Sequence, residues 1–160
     1  MCIHVVIHEY KVWGCRLCIH GDLLLTIMKK SHRVVTRAII LVDEKVLLGR
    51  RSGGEGKNKY ALVGGKPEGN ESLEDTIVRE VQEELGILFK NVKPWKTEID
   101  KKSVSGDFWD VYYFYGEGEG DIKLKKDEIL DTILVGKEDL SKLDLAFDHK
   151  KILEEFFGLR

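Results

Sequence analysis

Cysteine is missing from residue 19 onward: the three in this 160-residue chain, Cys2, Cys15 and Cys18, all fall within the first 18 positions. Most of the chain therefore has no disulfide framework, which fits a reducing compartment. Long hydrophobic runs are missing too, and no apolar stretch approaches the roughly 20 residues needed to span a bilayer. Neither sign of charge dominates. The formal net charge of −2 gives no electrostatic argument for a nucleic-acid polymer or a membrane as partner. There is no internal repeat, and Ser52 to Lys59 lacks the order of a phosphate-binding P-loop. What remains is an ordinary globular composition, 42% hydrophobic and 34% charged, with one domain and a cytoplasmic location expected.

The first 27 residues hold His4, His8 and His20 beside Cys15 and Cys18. A C-x2-C spacing suits tetrahedral zinc or a redox pair, but no second spaced ligand pair accompanies it. A secretory leader is not expected, because a basic start is lacking and Leu23-Leu24-Leu25 is too short an apolar core. The preferred reading takes Met28-Lys29-Lys30-Ser31 as a natural chain start. Residues 1–30 are then an N-terminal extension of uncertain status, or an artefact of start-site choice, ahead of a domain at 31–160.

Val34 to Val42 (VVTRAIILV) is apolar and β-branched, so a central strand is expected, with a turn at Asp43-Glu44 and a return over Lys45 to Arg50. A short strand from Tyr60 to Val63 delivers Gly64-Gly65. Further strands are expected at Val92 to Ile99, with Pro94 marking an edge or bulge, and at Phe108 to Tyr115, apolar on both faces. Gly116 to Gly120 reads as a loop, Ile122 to Leu124 as a short strand, and Ile129 to Val135 as a segment returning to the sheet. Asp148 is expected to cap a terminal helix whose apolar face is Ile152, Leu153, Phe156 and Phe157, with Phe147 stapled onto Ile152. Strands, a helix, strands and a helix in that order suggest an α/β fold with a mixed sheet and helices on its faces.

Gly65 to Ile87 organises the rest. Ser72 can cap a helix, Leu73, Ile77, Val81 and Leu85 with Val78 form its buried stripe, and Gly86 can end it in the left-handed conformation. Glu80, Glu83 and Glu84 sit at i, i+3 and i+4, which gathers three carboxylates on one patch. Like charges at that spacing weaken a helix, and one arginine, Arg79, does not balance three acids. A divalent cation does, and hard oxygen ligands suit Mg²⁺. A glutamate-rich helix is most often a solvated face, and a generic run of this kind carries no more than that.

The spacing here is not generic. Gly65, Glu71, Arg79, Glu80, Val81, Glu83, Glu84, Gly86 and Ile87 match every fixed position of the Nudix box, G-x5-E-x7-R-E-U-x-E-E-x-G-U with U apolar. The chain resembles a Nudix hydrolase over about Arg33 to Phe157. Val63 departs from the proline that many relatives place before the paired glycines, and no metal ligand is altered by it.

The resemblance implies a Nudix-type α/β/α sandwich and hydrolysis of the diphosphate linkage in a nucleoside diphosphate derivative, either ADP-ribose-like or a free or oxidised (d)NTP. It implies Mg²⁺ as cofactor, with Mn²⁺ as a substitute. Glu83 and Glu84 are then the principal metal ligands, Glu80 a further ligand or general base, and the Gly65 carbonyl completes the shell. Glu80, Glu83 and Glu128 are the candidate catalytic residues. Glu128 is preferred over Glu117 and Glu119 as a base from outside the box. Glu71, Arg79 and Gly86 are expected to hold the box in shape. Arg51, Lys66, Phe108 and Trp109 are the candidate substrate-binding residues, the rings by stacking on a base. The ending LAFDHKKIL, Leu145 to Leu153, is similar to endings of some ADP-ribose-type members. The partner expected is a small nucleotide, and the candidate assembly a homodimer. The competing reading is a non-catalytic Nudix-fold sensor, but such modules often lose box carboxylates and this chain keeps them all.

Overall fold

The computed structural model describes residues 33–102 and 106–159. The expectations for residues 1–30 lie outside the described residues. Six strands form one mixed sheet: β1 (Arg33–Val42), β2 (Lys45–Arg51), β3 (Tyr60–Ala61), β4 (Leu88–Lys102), β5 (Phe108–Glu119) and β6 (Ile129–Val135). The order is β3-β2-β1-β5-β4, with β6 also paired to β2. β1 and β5 run parallel and the remaining pairs are antiparallel. Helix α1 (Leu73–Leu85) follows β3, and α2 (His149–Phe156) closes the chain after a 3-10 turn at Leu140–Lys142.

Strand alternation divides the core into two layers. Val35, Ile39, Leu48, Val111 and Tyr113 pack with Ile152 and Leu153 of α2, whereas Ala38, Ile40, Leu47 and Phe114 pack with Ile77, Val81 and Leu85 of α1. The expected α/β/α sandwich is therefore present, and β5 is covered on both faces. α1 forms where its signals place it. The Asp75 N–H donates to Ser72 Oγ at 3.0 Å, a cap that stabilises by about 1 kcal/mol. Gly86 ends the helix at φ 72°. Val78, expected in the buried stripe, is 37% exposed, and buried Thr76 stands beside Ile77 instead.

Three boundaries differ from expectation, each for a physical reason. β5 continues through Gly116 and Gly118, because a Cβ at Gly116 would come within 2.6 Å of the Lys90 carbonyl and one at Gly118 within 2.7 Å of Ile40. Those glycines are packing positions in a strand, not loop residues. β4 is longer than expected because three register shifts, one of them beside Pro94, let it bend along β5 without ending. Ile122 to Leu124 is no strand: the Lys123 and Lys125 N–H groups donate to the Leu85 and Glu84 carbonyls at the end of α1. At the terminal helix, Asp148 makes no side-chain cap and pairs with Lys101 across 2.5 Å. Phe147 is 44% exposed, its ring turned to His149 and Arg51.

The segment from Tyr60 to Gly65 is wedged between the C-terminal half of β2 and the N-terminal half of β1. It pairs with Gly49 and Arg50 on one side, while on the other the Ala38 and Thr36 N–H groups donate to the Val63 and Gly65 carbonyls, both at 2.8 Å. The wedge fixes Gly64-Gly65 against the face of α1.

Candidate active site

The paired glycines are dictated by what they touch. Gly64 adopts φ 141°, and a Cβ there would lie 2.3 Å from the Thr36 carbonyl. A Cβ at Gly65 would lie 2.0 Å from Glu80 Oε1. The Glu80 carboxylate thus occupies the space a side chain would take.

The three carboxylates share a turn of α1 but sit at different depths. The Glu83 side chain is 48% exposed, that of Glu80 14%, and Glu84 as a residue only 7%. Burial, reinforced by the nearby charges of Glu80 and Glu128, pushes the Glu84 carboxyl up to about 8, against the opposing pull of Arg37 and Arg51. Burial also raises Glu80, with Arg79 opposing it.

Arg79 spreads its guanidinium across the cluster. Nε donates to Glu71 Oε1 at 2.8 Å, and NH2 donates to Glu71 Oε2, Glu80 Oε1 and the Lys66 carbonyl at 3.1–3.2 Å. NH1 lies 3.4 Å from Glu83. Arg79, with the Glu68 N–H behind it, holds the Glu71 carboxyl at about 2, and that pairing raises Arg79 in turn. Thr76 adds a hydroxyl donated to Glu71 at 3.2 Å. A short charged bridge of this kind keeps the loop before α1 in register with the helix.

Glu128 arrives from a different part of the chain and comes within electrostatic reach of Glu80 and Glu84. The backbone bonds from Lys123 and Lys125 dock its segment onto the end of α1, and the Ser52 N–H donates to its carbonyl at 2.9 Å. Its charge acts on both Glu80 and Glu84. All three candidate bases have side-chain partners: Glu128 pairs with Lys125, and on the β4–β5 ladder Glu117 pairs with Asn91 and Glu119 with Lys90.

Two arginines face these acids. Arg51 donates through Nε to the Glu55 carbonyl at 2.9 Å. Arg37 donates through NH1 to the Gly64 carbonyl at 2.6 Å, and burial and the nearby Arg51 hold it below the usual arginine range. Among the described residues neither has a carboxylate at ion-pair distance. Arg37 was not singled out from the sequence, although a lone charge inside VVTRAIILV was its signal.

Of the remaining candidates, Lys66 lies 5.3 Å over the Trp109 ring, beside a cleft lined by Val34, Pro67 and Leu73; Arg33, not singled out from the sequence, lies over the same ring at 5.4 Å. Phe108 opens β5 opposite Lys102 and is half-buried.

The donor set suits a divalent cation. Three hard carboxylates on one turn, the deepest of them crowded by like charges, leave negative charge in a partly buried place that a cation relieves. Among the described residues no three acidic, His or Cys side chains converge on one point. Arg79 holds two of these acids, Glu80 and Glu83, which would have to turn from it to reach a cation. The Gly65 carbonyl accepts from the Thr36 N–H at 2.8 Å and the Thr36 hydroxyl at 3.2 Å, and could join a metal shell by giving up the hydroxyl.

Known proteins resemble this chain in sequence and fold. The NUDIX domain family model covers residues 31–156. The chain is 30% identical over 125 residues to an ADP-ribose pyrophosphatase of Methanocaldococcus jannaschii, spanning 77% of this chain and 72% of that protein. It is also 30% identical to a CTP pyrophosphohydrolase of Escherichia coli over 79% of this chain and 92% of the relative. Among solved structures, the NUDIX domain of Shewanella oneidensis NrtR complexed with ADP ribose superposes at a TM-score of 0.71 over 88% of this chain and 98% of that one. At 20% identity that last likeness speaks to the fold.

Proposed function

The chain belongs to the Nudix hydrolase family, and from that premise we propose that it hydrolyses, with Mg²⁺ or Mn²⁺, the diphosphate linkage of a nucleoside diphosphate derivative, ADP-ribose-like or a (d)NTP. The observation that carries this is the buried Glu84, flanked by Glu80 and Glu128 and faced by two arginines without carboxylate partners among the described residues. A diphosphate bridged by a cation needs both signs of charge within one cleft: acids for the metal, guanidinium groups for the phosphate oxygens.

Glu80, Glu83 and Glu84 hold the cation in this reading, with the Gly65 carbonyl as a further donor. When bound, the cation neutralises the diphosphate and lowers the pKa of an attacking water. Glu128, within electrostatic reach of the cluster and paired with Lys125, accepts the proton of that water as its oxygen attacks one phosphorus and the bridging P–O bond breaks, the other phosphate leaving with its substituent. Arg51 and Arg37 stabilise the charge that develops on the phosphoryl oxygens, and Arg51 does so from an end of β2 fixed by the wedge. Arg79 acts at one remove, keeping Glu71, Glu80 and Glu83 in place through its ion pairs. The nucleotide named for each curated relative differs, so the substrate within this class is a question for assay.

The test is a nucleotide panel with Mg²⁺ or Mn²⁺, scoring AMP, phosphate and pyrophosphate. Glu84→Gln should lower kcat by about 100-fold or more, the scale expected when a group stabilising the transition state is lost. A variant that keeps the wild-type rate would remove Glu84 from the machinery, and no turnover of any nucleotide would overturn the enzymatic reading.

A further inference from the structure

Phe147 has an unusual backbone for a large side chain. Its φ is 58°, a left-handed conformation that costs an L-residue with a Cβ on the order of 1–2 kcal/mol. The neighbours impose it. The Ala146 N–H donates to the Tyr60 carbonyl at 2.8 Å, and the Ala146 side chain packs so tightly under Gly56 that a Cβ there would come within 2.6 Å. The His149 N–H donates back to the Ala146 carbonyl at 3.3 Å. Chain direction is thus pinned on both sides, and the ring between the pins is turned outward, 44% exposed. A core residue would gain nothing from this arrangement, since strain and exposure both weigh against it.

The ring is not isolated. Its centroid lies 5.2 Å from the centroid of the His149 ring, tilted by 58°, and the Arg51 guanidinium sits over the Phe147 ring, 5.3 Å from its centroid. His149 is buried, and its Nδ1 accepts from the Leu62 N–H at 3.0 Å, so the ring supporting Phe147 is itself anchored to the wedge. Arg51 in turn faces the acids of α1. From the metal-binding turn outward the order is carboxylates, guanidinium, aromatic ring. A nucleotide has the same order: cation-bridged diphosphate, the phosphate next to the nucleoside, the base.

We propose that Phe147 is the platform on which the nucleobase stacks, with Arg51 at the phosphate joined to that nucleoside. This rests on the nucleotide reading above and assigns its base to a ring other than Phe108 or Trp109. Stacking on a ring is tolerant of base identity, so this platform selects for nucleotides as a class.

The experiment measures binding of ADP and of inorganic pyrophosphate to the full-length protein with Mg²⁺, by calorimetry, for wild type and three variants. Phe147→Leu keeps bulk and removes the π-face, Phe147→Tyr keeps the face, and Phe147→Gly also relieves the left-handed backbone, so it tests the site without depending on a strained fold. Leu and Gly should weaken ADP binding by about 10-fold, the lower part of the range for losing one base stack, while pyrophosphate affinity is unchanged and Tyr matches wild type. Unchanged ADP affinity in both the Leu and Gly variants overturns the proposal and leaves the hydrolase reading intact. So does an equal loss for ADP and pyrophosphate, which marks a structural role. If wild type does not prefer ADP to pyrophosphate, the nucleotide reading falls and this inference with it.

Discussion

Replacing each of the paired glycines by alanine separates a fold requirement from a site requirement. At Gly64 the added Cβ meets backbone, the Thr36 carbonyl at 2.3 Å, on a residue already at φ 141°. Neither partner can yield, because the wedge carrying Gly64 is hydrogen-bonded to the β1 strand carrying Thr36. A cost of about 3 kcal/mol is expected from the combination of positive φ and a backbone clash, which for a chain of this size lowers Tm by about 10 °C. At Gly65 the added Cβ meets only the end of the Glu80 side chain, at 2.0 Å. Restoring an ordinary contact of about 3.4 Å moves that carboxylate by about 1.4 Å, away from Gly65. The protein should stay folded, within about 1 kcal/mol of wild type. Activity should nonetheless fall by about 100-fold, the usual effect of misplacing a catalytic group by an ångström. Thermal unfolding by circular dichroism and steady-state hydrolysis at saturating Mg²⁺ read the two effects. Wild-type turnover in Gly65→Ala, or equal loss of stability in the two variants, refutes the reasoning.

Without a divalent cation Glu84 keeps its proton up to about pH 8, so Mg²⁺ must displace it. Calorimetry in buffers of different ionisation enthalpy should show up to one proton released per Mg²⁺ at pH 7 and almost none at pH 9; equal release at both would exclude Glu84 as the ligand. Because its folded pKa is raised, Glu84 costs the fold stability progressively as pH rises from about 4.5 to about 8, so Mg²⁺ should raise Tm more at pH 8.5 than at pH 6, and Glu84→Gln should abolish that difference. His149 has the opposite sign. Burial and three nearby cations hold it well below 6.5, so the unfolded chain binds its proton first, and stability present above pH 6.5 is lost as pH falls below it, by at most about 1.4 kcal/mol per unit. Urea titrations from pH 7.5 to 5 should show this slope in wild type and a shallower one in His149→Gln. Ser72→Ala should cost about 1 kcal/mol through the lost cap of α1, read as a lower urea midpoint at unchanged slope.

What the sequence disclosed and what it hid differ in range. The box helix was legible because its signals are local: the Ser72 cap, a four-residue stripe and Gly86 act within a few residues of one another. β1, β2 and β6 were legible for the same reason. Missed features depend on partners far along the chain. Gly116 and Gly118 read as loop residues because nothing near them shows that Lys90 and Ile40 will press against their Cα atoms. Ile122 to Leu124 reads as a strand because its apolar pattern cannot reveal that the carbonyls of Leu85 and Glu84 will take the N–H groups of Lys123 and Lys125. The same distance law governs the candidate site. Glu80, Glu83 and Glu84 could be placed together from their spacing, whereas their unequal depth follows from the packing of the helix on the sheet, and Glu128, 44 residues beyond Glu84, adds its charge. Arg37 carries the point furthest. A charge in the middle of a β-branched run violates its own strand pattern, and such violations are expected where a fold gives up local consistency for function. The violation was visible, but its reason, a guanidinium donating to Gly64 and facing Glu84, exists only after the wedge has closed on β1.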